Sequence, residues 1–207
     1  MITLYHCVDA RSLRCLWALE EIGIEYRLQS LPFPPRSRAP EYLDVNPLGT
    51  VPYLVDETTT LNESPAILQY LAARYGGGLL PQPTEPGYAD CLNWLYFGET
   101  ELTVPLAMRL RFNLLGPEEL RITAISDDFT QRFFDRLAFL DRTLASRDYV
   151  SASGFTVADI SVGYALFLAT RIGLADRLPG RLITYLETLQ SRPAFQRARQ
   201  KQKPVAS

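Results

Sequence analysis

Gly76-Gly77-Gly78, followed by Pro81, Pro83 and Pro86, divides this chain of 207 residues. Neither a helix nor a strand crosses such a cluster, because glycine leaves the backbone unrestrained and each proline fixes φ and removes a donor. The two stretches it separates have different periodicities. Before it, residues 2–6 alternate as a strand. A helix then runs from Ser12 to Gly23, where glycine suits the left-handed position after a last turn. A strand at 25–29, a short helix at 40–45, a hairpin turning at Asp56-Glu57 and a helix from residue 65 complete the stretch. Strands alternating with helices and ending in a hairpin predict a mixed four-stranded sheet.

After the breakers the pattern is helical. Apolar residues at 92, 95, 96, 102, 106 and 110 keep a helical period until Gly116-Pro117, with Pro105 as a candidate kink. A helix at 118–145 carries Phe129, Phe133, Leu137, Leu140 and Leu144 on one face. Thr156 and Asp159 have the spacing of a capping box, with Asp in place of the usual Glu or Gln. The run to Thr170 is apolar on all sides, as a buried central helix requires. Asp159 is read as structural, a buried carboxylate accepting backbone N–H groups. The expected organisation is an α/β domain at 1–77, a linker at 78–88 and an all-helical domain at 89–207. A domain as short as the first buries only about 60% of its unfolded surface, so it is expected to lean on the rest of the chain.

Composition narrows the function classes. With 47% hydrophobic residues the chain can build a large core, and a net charge of −2 gives no footprint for nucleic acid. Eleven tyrosines and ten phenylalanines can line a pocket or fill a core. Residues 1–5 already read as strand, without the basic start and apolar run of a secretory signal, and no segment approaches membrane-spanning length. Cys7, Cys15 and Cys91 lack the regular spacing of a disulfide framework and suit a reducing cytoplasm, while a single histidine, His6, argues against a zinc site.

The densest local signal is Glu63-Ser64-Pro65, a short step after Val51-Pro52. Ser64 reads as an N-cap and Pro65 as a first-turn residue, ahead of Ile67, Leu68, Tyr70 and Leu71 at helical spacing. Open amides at a helix start attract a carboxylate, and Glu63 beside them can accept an ammonium. Together they suit an α-amino acid head group; an ordinary capped helix satisfies the same residues. Pro52 opens an apolar strand. A cis bond there would leave the N–H and C=O of Val51 facing outward for an extended peptide, whereas a trans proline would simply begin the strand.

Over nearly its whole length the chain resembles the glutathione transferases. The residues that carry this are Asn46-Pro47-Leu48-Gly49-Thr50-Val51-Pro52 with Glu63-Ser64, Leu4-Tyr5 with Arg11-Ser12-Leu13-Arg14-Cys15-Leu16-Trp17-Ala18-Leu19-Glu20-Glu21, and Phe155-Thr156-Val157-Ala158-Asp159. The resemblance implies a thioredoxin-like first domain, an all-helical second domain and a cytoplasmic homodimer acting in detoxification. Glutathione would be co-substrate, with no metal. It also implies roles: Glu63 and Ser64 for the γ-glutamyl end, Val51 and Pro52 for the cysteinyl unit, and Arg38, with Arg36 as second choice, for the glycyl carboxylate. A small hydrophobic electrophile would meet Tyr96, Thr100, Thr103 and Phe112.

The thiol-activating group is the open question. A free thiol has a pKa near ~8.5, so a donor or a positive charge must lower it. The Ser12 hydroxyl, at the expected start of the first helix, is the leading candidate, although a plain helix cap satisfies the same residue, and Arg11 is the second. Where a serine-based class of the family has its hydroxyl, four residues before Arg14, this chain has Ala10. Cys7 falls where the glutaredoxin-like classes place their cysteine, although Val8 replaces the proline frequent after it. Two alternatives therefore stand beside conjugation: a glutathione-dependent thiol oxidoreductase using Cys7, and a glutathione-binding protein without chemistry.

Overall fold

A computed structural model describes residues 1–76 and 78–202. Contacts group the chain into two compact units. One is Met1–Leu80 with the segment from Gln190 onward, and the other is Pro81–Leu189.

In the first unit, β1 (Ile2–His6) turns Ile2, Leu4 and His6 inward, as the period of two requires. Helix α1 (Ser12–Ile22) buries Leu13, Cys15, Leu16, Trp17 and Leu19. It stops where Gly23, at φ 76°, donates its N–H to Leu19 O at 2.9 Å. Strand β2 (Tyr26–Ser30) runs parallel to β1, in register Leu4 to Leu28. A four-residue helix, α2 (Pro35–Arg38), and a 3-10 turn at Pro40–Asp44 lead to β3 (Tyr53–Asp56) and β4 (Thr59–Leu61). β3 is antiparallel to β1 and to β4. The sheet order is β2-β1-β3-β4, the mixed four-stranded sheet expected from the sequence. Helix α3 (Ser64–Tyr75) begins one residue before the sequence placed it, so Glu63 rather than Ser64 is the capping residue.

Expected as part of the helical domain, the last helix instead belongs to the first unit. Along α9 (Pro193–Lys201) Ala194, Phe195 and Ala198 are buried, and Phe195 meets the Trp17 ring edge-on at 4.9 Å. Arg192 grips Glu21 through two hydrogen bonds of 2.6 and 2.9 Å, and Arg197 reaches Glu20 at 2.8 Å. Acidic residues at the end of α1 thus match basic residues on either side of Phe195 in α9.

The second unit is helical. Helix α4 (Tyr88–Phe97) passes into a π turn at Gly98–Thr103, then α5 (Val104–Leu110) and a second π turn at Arg111–Leu115. The sequence suggested one helix with a kink at Pro105; the wider π turn comes first, and Pro105 opens the helix after it, where no N–H is needed. Gly98 lets this π turn pack closely on Ser161 and Val162, since a Cβ there would lie 2.8 Å from their backbone atoms. Loosened carbonyls are taken up by hydroxyls: Ser161 donates to Leu95 O and Thr103 to Gly98 O, both at 2.8 Å.

Helix α6 (Thr123–Thr143) buries Phe133, Leu137 and Leu140, and α7 (Val157–Arg171) is buried from Val157 to Ala169. Helix α8 (Gly180–Gln190) follows. At the head of α7 the capping box forms, with Asp159 fully buried. Its carboxylate accepts the N–H of Val150 and of Thr156, both at 2.9 Å, and the hydroxyls of Tyr185 and Thr156 at 2.8 and 3.3 Å. Among the described residues no helix is long and apolar enough to cross a membrane.

Candidate functional site

Helix α3 starts with its donors open. Pro65 has no N–H, and among the described residues no acceptor meets the N–H of Ser64 or Ala66. The first-turn amides and the positive end of the helix dipole therefore make a place for a carboxylate. Ser64 is buried, and its Oγ accepts a hydrogen bond from Arg14 Nη1 at 3.0 Å. Since Arg14 occupies a lone pair of that oxygen, the Ser64 hydroxyl hydrogen is left to be donated. The Arg14 guanidinium is fully buried on α1, so a fixed positive charge stands behind the opening. Glu63, beside it, is exposed and free to meet a cation.

The approach to β3 is a built turn. Asn46, buried, accepts the Leu48 N–H on its Oδ1 at 3.2 Å, while Gly49 N–H donates to Asn46 O at 2.8 Å. Gly49 is left-handed at φ 60°, and a Cβ there would press to 2.9 Å on Leu43 and 3.0 Å on Arg36. The Asn46 amide and the Tyr42 hydroxyl both donate to Thr50 O, at 2.9 and 2.8 Å. Beyond this turn the Val51–Pro52 peptide bond is cis. Among the described residues neither the N–H nor the C=O of Val51 has a partner, two residues before the paired strand begins at Tyr53. A strand edge left open in this way accepts an extended peptide.

Between β1 and α1 lies the loop of thiol-activating candidates. Ser12 is fully buried. Its Oγ stands 2.8 Å from His6 Nδ1 and 3.3 Å from Cys7 O, and it accepts the Cys7 N–H at 3.2 Å. The hydroxyl is thus occupied within the loop, while the Ser12 N–H, in the first turn of α1, meets no acceptor among the described residues. Burial pushes the His6 pKa down to about 4, and Gln202, Ser12 and Asp9 offset this only in part. Among the described residues His6 Nε2 is enclosed without a hydrogen-bond partner. Cys7 is fully buried, with its S–H toward Pro32 O at 3.7 Å, and burial pushes its thiol up to about 11. Arg11 is half-buried beside Ala10.

The remaining candidates are more dispersed. Arg36 and Arg38 are exposed on α2. In the second unit Tyr96 is 44% exposed, Thr100 is exposed and bonds back to Tyr96 O at 3.1 Å, and Phe112 stacks on Phe129 at 6.3 Å. Thr103 is fully buried with its hydroxyl spent on Gly98 O, so it offers no surface to a ligand. The sequence alone assigns Arg14 no role. The signal was there: one arginine inside the otherwise apolar run Leu13–Leu19 must be either exposed or specially paired. Among the described residues no group of His, Cys, Asp and Glu side chains converges as metal ligands would.

A cis-proline at the mouth of β3 and an open N-terminus on α3, carried by a β2-β1-β3-β4 sheet, are the features of a thioredoxin-like domain. The comparisons agree. A family model described as the glutathione S-transferase N-terminal domain matches residues 10–74. Glutathione S-transferase 1 of Schizosaccharomyces pombe is 32% identical, over 75% of this chain and 70% of its own length. Glutathione S-transferase 4 of Zea mays is 30% identical, over 90% and 86%. A sphingomonad glutathione S-transferase, solved in complex with glutathione, superposes with a TM-score of 0.83 at 28% identity, covering 98% of this chain and 100% of that one. The chain belongs to the glutathione S-transferase family, and its fold is the glutathione S-transferase fold.

Proposed function

We propose that this chain is a glutathione transferase that joins the thiolate of bound glutathione to a small hydrophobic electrophile, acting as a cytoplasmic homodimer in detoxification. The observation that carries the reading is the open start of α3 at Ser64, braced from behind by buried Arg14. The amides of Ser64 and Ala66, with the Ser64 hydroxyl, take the γ-glutamyl carboxylate, and Glu63 takes the ammonium. Val51 pairs by backbone with the cysteinyl unit, Pro52 shapes that edge, and Arg38 meets the glycyl carboxylate. Tyr96, Thr100 and Phe112 contact the electrophile. Three free, buried cysteines suit a reducing compartment.

For the chemistry, Ser12 serves through its backbone. Its N–H and the positive end of α1 stabilise the thiolate, and Arg11 adds fixed charge. The Ser12 hydroxyl, bonded to His6 and Cys7, holds the loop in shape. Glutathione loses its thiol proton to solvent. The sulfur lone pair then forms a carbon–sulfur bond while the leaving group departs with the electron pair of its own bond. Holding the thiolate in place and excluding water supply the rate.

Ala10 favours a second reading, a glutathione-binding protein without turnover, because the position lacks a hydroxyl. The Cys7 oxidoreductase reading is disfavoured by burial of that sulfur and its raised pKa. Calorimetric titration of glutathione into wild type and Glu63→Ala/Ser64→Ala, with a conjugation assay on the same samples, separates them. Saturable binding lost in the double variant, with turnover in wild type, supports a transferase. Binding without turnover of any electrophile or disulfide supports the binder, and no binding at millimolar glutathione sinks both.

A further inference from the structure

The loop assigned to the thiolate is tied to the far end of the chain. At its centre Asp9 has φ 55°, the left-handed region where a side chain is strained and Asp is among the few residues that tolerate it. Bonds from the end of α9 hold it there. The Asp9 N–H donates to Gln202 Oε1 at 3.3 Å, and Asp9 Oδ1 accepts from Gln202 Nε2 at 2.6 Å. The Arg199 guanidinium pairs with the same carboxylate. Gln202 is only 3% exposed, so its amide is committed to this contact by packing. Next to Asp9, the N–H of Ala10 closes a turn on Cys7 O at 3.2 Å. Ala10 leads directly into Arg11 and Ser12, so the backbone angle at Asp9 sets where the first amides of α1 point.

We infer that the last turn of α9, through Arg199 and Gln202, is a positioning element for the thiolate loop, acting on Asp9. This rests on the transferase reading above. Neither residue touches glutathione; they fix a loop whose displacement by about 1 Å costs on the order of a hundredfold in rate. The arrangement also gives α9 a purpose beyond stabilising α1. Arg192 and Arg197 hold the helix down, while Arg199 and Gln202 transmit its position to the site.

The test uses the full chain with Gln202→Leu, Asp9→Ala, their double variant, and Arg199→Met beside Arg199→Lys. The readouts are kcat and KM with an activated chloronitrobenzene, calorimetric affinity for glutathione, and the pKa of the bound thiol followed by thiolate ultraviolet absorbance. Gln202→Leu and Asp9→Ala should each lower kcat about tenfold and raise the bound thiol pKa by about half a unit or more, with KM for glutathione within about twofold. The double variant should match the worse single variant, since both act through Asp9. Arg199→Lys should keep most of the activity that Arg199→Met loses. Additive losses, or activity that follows thermal stability with the thiol pKa unmoved, would overturn the inference. If Asp9→Ala does not fold, Asp9→Asn, which tolerates the left-handed angle and keeps an acceptor for Gln202, must hold the thiol pKa near that of wild type, while Gln202→Leu must still raise it. Wild type that fails to bind glutathione rejects the functional reading and this inference together; wild type that works while the variants match it rejects this inference alone.

Discussion

Two helix starts in this chain carry a hydroxyl and a carboxylate within a few residues, and they use them in opposite ways. At α7, Thr156 and Asp159 close on themselves: the carboxylate takes four hydrogen bonds, and Thr156 Oγ1 accepts the Ala158 N–H at 3.3 Å. At α3, Glu63 is turned out, the Ser64 hydroxyl is engaged from behind by Arg14, and the amides of Ser64 and Ala66 remain open. A cap that satisfies its own donors adds stability and leaves nothing for a ligand. One that leaves them open gives up that gain and becomes a binding site. The same residue types thus mark a structural element in one unit and the candidate glutathione site in the other, and the partner around them decides which.

The largest effect expected from this contrast is on stability. Asp159→Ala strands the N–H groups of Val150 and Thr156 and the hydroxyl of Tyr185 in the interior, at a cost of about 3–5 kcal/mol. Urea unfolding would show it, while the variant, at a temperature where it remains folded, should bind glutathione within about threefold of wild type. A variant as stable as wild type would mean that the α7 cap is not the closed device described.

Burial sharpens the comparison through pH, because it moves Asp159 and His6 in opposite directions. It raises Asp159 to about 6, so stability from that group is present at low pH and lost as pH rises through about 6. It lowers His6 to about 4, so stability there is present above about 6.5 and lost as pH falls toward 4. Between neutral pH and about pH 4.5, His6 should cost wild type roughly 2–3 kcal/mol that His6→Gln does not lose. Unfolding of both proteins at the two pH values checks this; parallel curves would show that His6 is not held neutral.

At the open helix, Glu63→Ala/Ser64→Ala should weaken glutathione binding by about a hundredfold, close to 2.7 kcal/mol, while costing less stability than Asp159→Ala. Reversal of that order between the two sites would break the comparison. The smallest effect belongs to Arg38→Ala. As an exposed charge on α2 it should change glutathione affinity by about threefold, and the change should shrink as salt is added. An affinity unmoved at low salt would remove Arg38 from the site.

Much of the fold was legible because its causes are local. The alternation at 2–6, the stop at Gly23, the hairpin around Asp56-Glu57 and the Thr156/Asp159 box are all set by residues within a few positions of one another. The site was legible in part for the same reason: Val51-Pro52 and Glu63-Ser64 are adjacent pairs with their own backbone chemistry. Ser12 was legible as a residue but not in its orientation, since its hydroxyl answers to His6, on the neighbouring strand. Thr103 shows a similar limit. Its helical position is readable, but a π turn rotates it inward to cover Gly98 O.

The sequence by itself therefore determined the two kinds of periodicity, the break between them, the stop at Gly23, the α7 capping box, the hairpin turn and the family. Tertiary structure alone decided that Arg14 stands behind Ser64, 50 residues away, and that Asp9 is clamped by Gln202, 193 residues away. It also decided that α9 joins the first unit. The physical reason is the range of the interactions. Helix periods, caps and turns are fixed by bonds between near neighbours, which a sequence displays directly. A buried charge or amide instead takes whichever partner the folded chain brings to it, and that partner follows from packing over the whole unit rather than from spacing.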